Sequence, residues 1–132
     1  MKLTPHPGPF RVSLGERGEI AACGFLKEKG YEILEKNYKC KLGEIDVIAR
    51  RKGRLAFVEI KTRTSTQFGT PQEAVHLKKQ EKIFKVAQWY MKEKKFRKIP
   101  VAFDVVAILW KEGQGPEISL IADAFEKEDK IY

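Results

Sequence analysis

Cysteine is scarce in this chain: 132 residues contain two, Cys23 and Cys40. Two are too few for a disulfide framework, and neither sits in a C-x-x-C pair or at zinc-ligand spacing from a histidine. Buried thiols in a reducing compartment are the expectation. Histidine is equally rare, and His6 and His76 have no obvious partners, so both read as surface residues. No apolar run approaches the roughly 18 residues of a membrane helix. The first ten residues hold three prolines and lack the apolar stretch of a signal peptide. A cytoplasmic protein without a membrane partner is expected. Gly113-Gln114-Gly115 reads as a turn, because the Lys-Ser/Thr of a phosphate-binding loop is missing.

Positive charge is abundant. The net charge is +8, and residues 77–98 carry nine Lys/Arg against two Glu, whereas residues 99–132 carry three against seven. A basic middle with an acidic tail suits a polyanionic partner, most commonly nucleic acid. The plain alternative is a solvated lysine face, and a high load of Lys and Glu also accompanies heat stability. The length suits one domain over residues 13–132 behind a flexible segment 1–12, burying roughly two thirds of its unfolded surface.

Ser13-Leu14-Gly15-Glu16 has the form of a capping box and predicts a helix ending near Gly30. Its apolar stripe is Leu14, Ala21, Ala22, Phe25 and Leu26, with Glu19 at the stripe's edge. Gly18 and Gly24 each cost about 1 kcal/mol against alanine in a helix interior. Close packing onto a sheet would justify both. Strands are expected over residues 31–40, 43–51, 54–62, 101–110 and 117–121. Thr70-Pro71-Gln72-Glu73 predicts a second helix running to about Lys95. Its inner stripe is Val75, Ile83, Val86, Ala87 and Tyr90, and Lys79 lies on it, four residues from Val75 and from Ile83. Phe84, Trp89, Tyr90 and Phe96 occupy mixed positions that, for most of them, favour core packing over base stacking. The order α-β-β-β-α-β-β suits helices packed on the faces of one mixed sheet.

Gly43-Glu44-Ile45-Asp46-Val47-Ile48-Ala49 is followed, thirteen residues after Asp46, by Glu59-Ile60-Lys61. Strict alternation would set Ile45, Val47 and Ala49 opposite Glu44, Asp46 and Ile48, and put Glu59 and Lys61 on one face. A hairpin turn at Lys52-Gly53 sets Arg51 against Arg54 and, counting outward, Asp46 against Glu59 and Glu44 against Lys61. Two-residue and four-residue loops give the same pairing. Directly opposed residues have Cβ atoms roughly 4.5–5.5 Å apart. Two acids that close repel unless a proton or cation lies between them. Mg²⁺, which takes one or two carboxylates and keeps waters and phosphate oxygens, resolves the repulsion. An exposed Lys61–Glu44 pair would be worth only about 0.2–1 kcal/mol.

Asp46 with Glu59-Ile60-Lys61 resembles the site of the PD-(D/E)XK nucleases, and the chain as a whole resembles the small bacterial YraN-type family within them. The resemblance runs through Leu14-Gly15-Glu16-Arg17-Gly18-Glu19, Gly43-Glu44-Ile45-Asp46, Phe57-Val58-Glu59-Ile60-Lys61-Thr62-Arg63, and Phe68-Gly69-Thr70-Pro71-Gln72-Glu73-Ala74-Val75. It continues at Lys79, Phe103-Asp104-Val105-Val106-Ala107-Ile108 and Ala124-Phe125. Ile45 stands where the superfamily name has proline. The resemblance implies an α/β, restriction-endonuclease-like three-layer sandwich, its mixed central sheet flanked by helices. It also implies a metal-dependent nuclease hydrolysing phosphodiester bonds.

On that reading Asp46 and Glu59 hold Mg²⁺, with Mn²⁺ as a substitute, and the carbonyl oxygen of Ile60 is a further ligand. Lys61 positions the attacking water and stabilises transition-state charge. Glu19 is carried over as an additional carboxylate from the first helix. Lys79 and Gln80 reach the phosphate from the second helix, Arg63 meets a flanking phosphate, and Lys78 and Lys82 add sequence-independent contacts. DNA is favoured over RNA as the partner. Analogy with Holliday-junction resolvases suggests a branched substrate and a homodimer. The rival reading is a nucleic-acid-binding module on a nuclease fold, with weak catalysis or none.

Overall fold

A computed structural model of the chain describes residues 13–64, 75–111 and 113–126. Helix α1 (Leu14–Glu28) leads into strands β1 (Glu32–Cys40), β2 (Gly43–Arg51) and β3 (Arg54–Arg63). Helix α2 (Leu77–Glu93) follows, then β4 (Val101–Trp110) and β5 (Pro116–Phe125). The strands form one sheet in the order β1-β2-β3-β4-β5. The β3–β4 pair is parallel, and the β1–β2, β2–β3 and β4–β5 pairs are antiparallel. A parallel pair needs a crossover connection, and α2 lies in it.

Alternation along the central strands decides which helix each residue meets. Leu55, Phe57, Phe103 and Val105 pack with Ile83, Val86, Ala87 and Tyr90 of α2. Ala56, Val58, Val106 and Ile108 pack with Ala22, Cys23 and Leu26 of α1. The result is the expected restriction-endonuclease-like sandwich, a mixed sheet between two helical layers. Among the described residues, no helix is long and apolar enough to cross a membrane.

Local chemistry explains the element ends. Glu16 N–H donates to Ser13 Oγ at 3.1 Å and Ser13 N–H to Glu16 Oε1 at 3.3 Å, which completes the capping box. Lys52 and Gly53 take φ of 50° and 76°, the two positive values of a type I′ hairpin turn, and Arg51 faces Arg54 as expected.

Three expectations need correction. Val75 is buried in the α2-side core but precedes the helix, since His76 is its extended N-cap. The Gln80 side-chain amide donates to the Val75 carbonyl at 2.7 Å, holding that turn from inside α2. The proposed start at Thr70-Pro71 lies outside the described residues, as does the segment 1–12. Strand β5 continues past Ile121 to Phe125, because a bulge accommodates Asp123 at φ 50°. Buried Asp104 accepts the Asp123 N–H at 2.8 Å and the Tyr31 hydroxyl at 3.3 Å, which satisfies a carboxylate that would otherwise be costly to bury. Finally, the two helix glycines differ.

A Cβ on Gly18 would collide with Thr62 Oγ1 and lie 3.6 Å from Ile108 Cδ1, whereas one on Gly24 would meet nothing within 4 Å. Only Gly18 lets α1 press onto β3, one residue beyond Lys61. Gly24→Ala should therefore stabilise the protein by about 0.5–1 kcal/mol. Gly18→Ala should destabilise it by about 1 kcal/mol or more, since overpacking outweighs helix propensity. Chemical denaturation of both variants, with Gly18→Ala/Thr62→Ala as the relief of the clash, checks the assignment. Equal stabilisation by both alanines would contradict it.

Candidate functional site

Asp46 occupies the point where two strands stop alternating. Ile45 and Ile48 both lie in the α2-side core, whereas Val47 and Ala49 lie beneath α1. Residues three apart on one side mean that β2 loses its period-two pattern between Ile45 and Val47. The cause sits across the sheet. Lys36 pairs with Val47 and Tyr38 with Ile45, which leaves Asn37 opposite Asp46, and Asn37 adopts φ 50°. Asparagine enters this left-handed region more readily than most residues. Strict alternation, the expectation for β2, fails at this one position.

The break turns Asp46 toward β3. Main-chain pairing of β2 with β3 runs from Arg51↔Arg54 to Val47↔Val58. Beyond it, the Ile60 N–H donates to Asp46 Oδ2 at 2.8 Å. Glu59, adjacent in β3 and 2% exposed, lies within electrostatic reach of Asp46. Glu44 does not meet Lys61. It pairs with Lys39 of β1 at 3.8 Å, because the first residues of β2 follow β1 rather than β3.

Two lysines complete the cluster. Lys79 Nζ, from the inner stripe of α2, lies 3.1 Å from Glu59 Oε2. Lys61 is half-buried and interacts with Lys79, Glu59 and Asp46. Burial, and then the neighbouring Asp46, push the Glu59 carboxyl up to about 7, against the opposing pull of Lys79 and Lys61. Burial also raises Asp46, opposed by the Ile60 N–H and both lysines. Lys61 is lowered by burial and by the Lys79 charge. Burial pulls Lys79 downward too, but Glu59 and Asp46 outweigh it and leave its pKa raised. The electrostatic frustration is concentrated on Glu59 and Lys61.

Other candidates stand at varying distance from this cluster. Glu19 Oε1 accepts a hydrogen bond from Asn37 Nδ2 at 2.8 Å, so it meets the residue opposite Asp46. Among the described residues, no group of three or more His, Cys, Asp or Glu could hold a metal ion. Gln80 spends its amide on Val75. Arg63 ends β3 two residues beyond Lys61. Exposed Lys78 and Lys82 line a cleft of about 330 Å³ with Gly43, Glu44, His76, Lys79 and Ile83. Asn37 was not singled out by sequence pattern. Its one signal is an asparagine in the middle of strand β1.

Mg²⁺ suits this donor set. Asp46 and Glu59 offer hard oxygens from adjacent strands, and burial with the neighbouring Asp46 keeps the Glu59 carboxyl raised to about 7 even with Lys79 at 3.1 Å. Two carboxylates suffice for Mg²⁺, the remaining ligands being water, the Ile60 carbonyl or phosphate.

Comparison with known proteins shows the family of the chain. The chain matches the uncharacterised protein family UPF0102 over residues 18–108. A UPF0102 protein of Caldanaerobacter subterraneus is 50% identical over 98 residues, covering 74% of this chain and 80% of the relative. One from Geotalea daltonii is 49% identical over 114 residues, 86% of this chain and 90% of its own. A third, from Acetivibrio thermocellus, is 47% identical over 116 residues, 84% and 89% of the two chains.

The raised carboxyls fix the sign of a pH effect. Between the ordinary carboxyl value of 4.5 and about 7, folded Glu59 keeps a proton that the unfolded chain has released. Stability in EDTA should therefore be greatest below that window and fall as pH rises through it. Asp46 and Asp104, both raised chiefly by burial, act in the same direction. Thermal unfolding across this range should show the decline, and Glu59→Gln should flatten it. A wild-type Tm that rises through the same window contradicts the assignment.

Proposed function

From the premise that the chain belongs to the UPF0102, or YraN-type, family, we propose that it is a metal-dependent nuclease acting on phosphodiester bonds of DNA. The observation that carries this reading is the Asp46–Glu59 pair on neighbouring strands, Glu59 buried and Asp46 partly so, with two lysines beside it. Structural acids are ordinarily satisfied by hydrogen bonds or fixed counter-charges. Here Glu59 remains raised to about 7 despite Lys79, which fits a site held ready for further positive charge.

Asp46 and Glu59 hold Mg²⁺, or Mn²⁺ in its place, which when bound lowers the pKa of a water and neutralises phosphate oxygens. Asp46 is oriented for this by the Ile60 N–H. Lys61 orients the attacking water in line with the leaving oxygen and stabilises the negative charge that develops. Lys79, tethered to Glu59, approaches the phosphate from the α2 side. Lys78 and Lys82 lie along the adjoining cleft and contact phosphates without reading bases. Arg63 extends that contact past the end of β3. Glu19 acts through Asn37, fixing the strand break that aims Asp46. Branched DNA and a homodimer remain the analogy-based choice of substrate and assembly.

The 3.1 Å contact between Lys79 and Glu59 favours a second reading. A resident ammonium beside the acid suits a nucleic-acid-binding module whose site no longer turns over. Cleavage separates the two. Single-turnover assays with Mg²⁺ or Mn²⁺ on single-stranded, duplex, flapped and four-way DNA should show hydrolysis of at least one form. Asp46→Asn should reduce that rate by about 100-fold or more, while metal-free binding is kept or strengthened by the loss of a negative charge. Full cleavage by Asp46→Asn would refute its role. Binding without cleavage by the wild type would favour the module.

A further inference from the structure

The outer face of α2 carries a pattern that the acid site does not use. Lys78, Lys82, Lys85, Trp89 and Lys92 recur at spacings of four and three, which places them on a single stripe of the helix, and all five are exposed. Trp89 stands out among lysines, at 37% exposed. Its neighbour Tyr90 enters the core, so the helix had an interior position for an aromatic residue one place along. Lys41 Nζ lies 5.0 Å from the centre of the Trp89 ring. The β1–β2 turn brings it there. Gly43 at its end has φ 145° and sits so close to α2 that a Cβ would lie 3.2 Å from Val86 Cγ2.

The stripe is continuous with the cleft lined by Lys78, Lys79 and Lys82. Lys79 and Trp89 are ten residues apart, which is about 15 Å along a helix axis. That distance spans about four nucleotides at 3.4 Å each, and fewer in an extended strand. A line of lysines with an exposed indole at a fixed distance is the pairing used to hold single strands. Lysines track the backbone, and the indole stacks a base whatever its identity. A duplex keeps its bases paired inside and offers the indole no face.

We propose that Trp89 is a base-stacking platform for a single-stranded segment of nucleic acid lying along α2, three or four nucleotides from the Asp46–Glu59 site. The proposal rests on the nucleic-acid reading above and narrows it to substrates with a single-stranded arm. Lys41 covers the indole in the free protein and turns to a phosphate when a base takes its place.

Trp110→Phe leaves Trp89 as the single indole of the full chain. In EDTA, its fluorescence should be quenched by a twelve-nucleotide oligothymidylate and not by a twelve-base-pair duplex. Trp89→Ala should weaken oligothymidylate binding by about 5- to 150-fold, leave duplex binding unchanged, and keep the wild-type Tm. Trp89→Phe, which retains a ring, should recover most of the loss. Unchanged oligothymidylate affinity in Trp89→Ala overturns the proposal while the nuclease reading stands. Equal losses for single strand and duplex overturn it too. Fluorescence that changes with protein concentration alone would mean that a second copy covers Trp89, which also overturns it. Failure of the wild type to bind either oligonucleotide removes the nucleic-acid reading and this inference together.

Discussion

Two carboxylates cannot stay ionised side by side in a protein interior without positive charge between or beside them. Much of the local architecture around Asp46 and Glu59 answers that constraint. Glu59 comes from the central strand β3, on the face that α2 covers, and is buried there. Asp46 arrives where the β2–β3 ladder ends, and its carboxylate takes the next main-chain donor. Lys79 reaches in from α2 and Lys61 stands on the same strand as Glu59. Even so, the two cations leave Glu59 poised near neutrality. A buried group so poorly compensated is destabilising, and such groups concentrate where chemistry needs them.

The supporting elements are tied to this arrangement. Gly18 allows α1 to approach β3 at Thr62, next to Lys61. From the same helix turn, Glu19 holds Asn37, whose left-handed backbone lies opposite Asp46. On the other face, the Gln80 amide fixes Val75 at the start of α2, one residue from Lys79. Each helix thus contributes a polar anchor as well as an apolar face.

Much of this was legible in the residues. Lys52-Gly53 reads as a hairpin turn between two alternating runs, and the register counted from it carries through to Val47↔Val58. Lys79 was legible as a charge on an apolar stripe facing the sheet, but its ion pair with Glu59 was not. The strand break was not. It depends on the backbone of Asn37 in a different strand and on a hydrogen bond to Glu19 eighteen residues away, neither of which leaves a periodic trace. Strict alternation therefore misassigned Ile45 and paired Glu44 with Lys61. Gly24 shows the converse limit: glycine in a helix reads the same whether a sheet lies against it or solvent does.

The central claim is that Asp46 and Glu59 form one divalent-cation site, and direct metal binding tests it apart from any activity. Manganese titrated into the full-length protein near pH 7.5, with free Mn²⁺ followed by electron paramagnetic resonance, counts the sites and measures their affinity. A site is expected in the wild type, weakened at least about tenfold in both Asp46→Asn and Glu59→Gln. Wild-type protein that leaves all Mn²⁺ free even with DNA present, or variants that bind it equally well, would contradict the account.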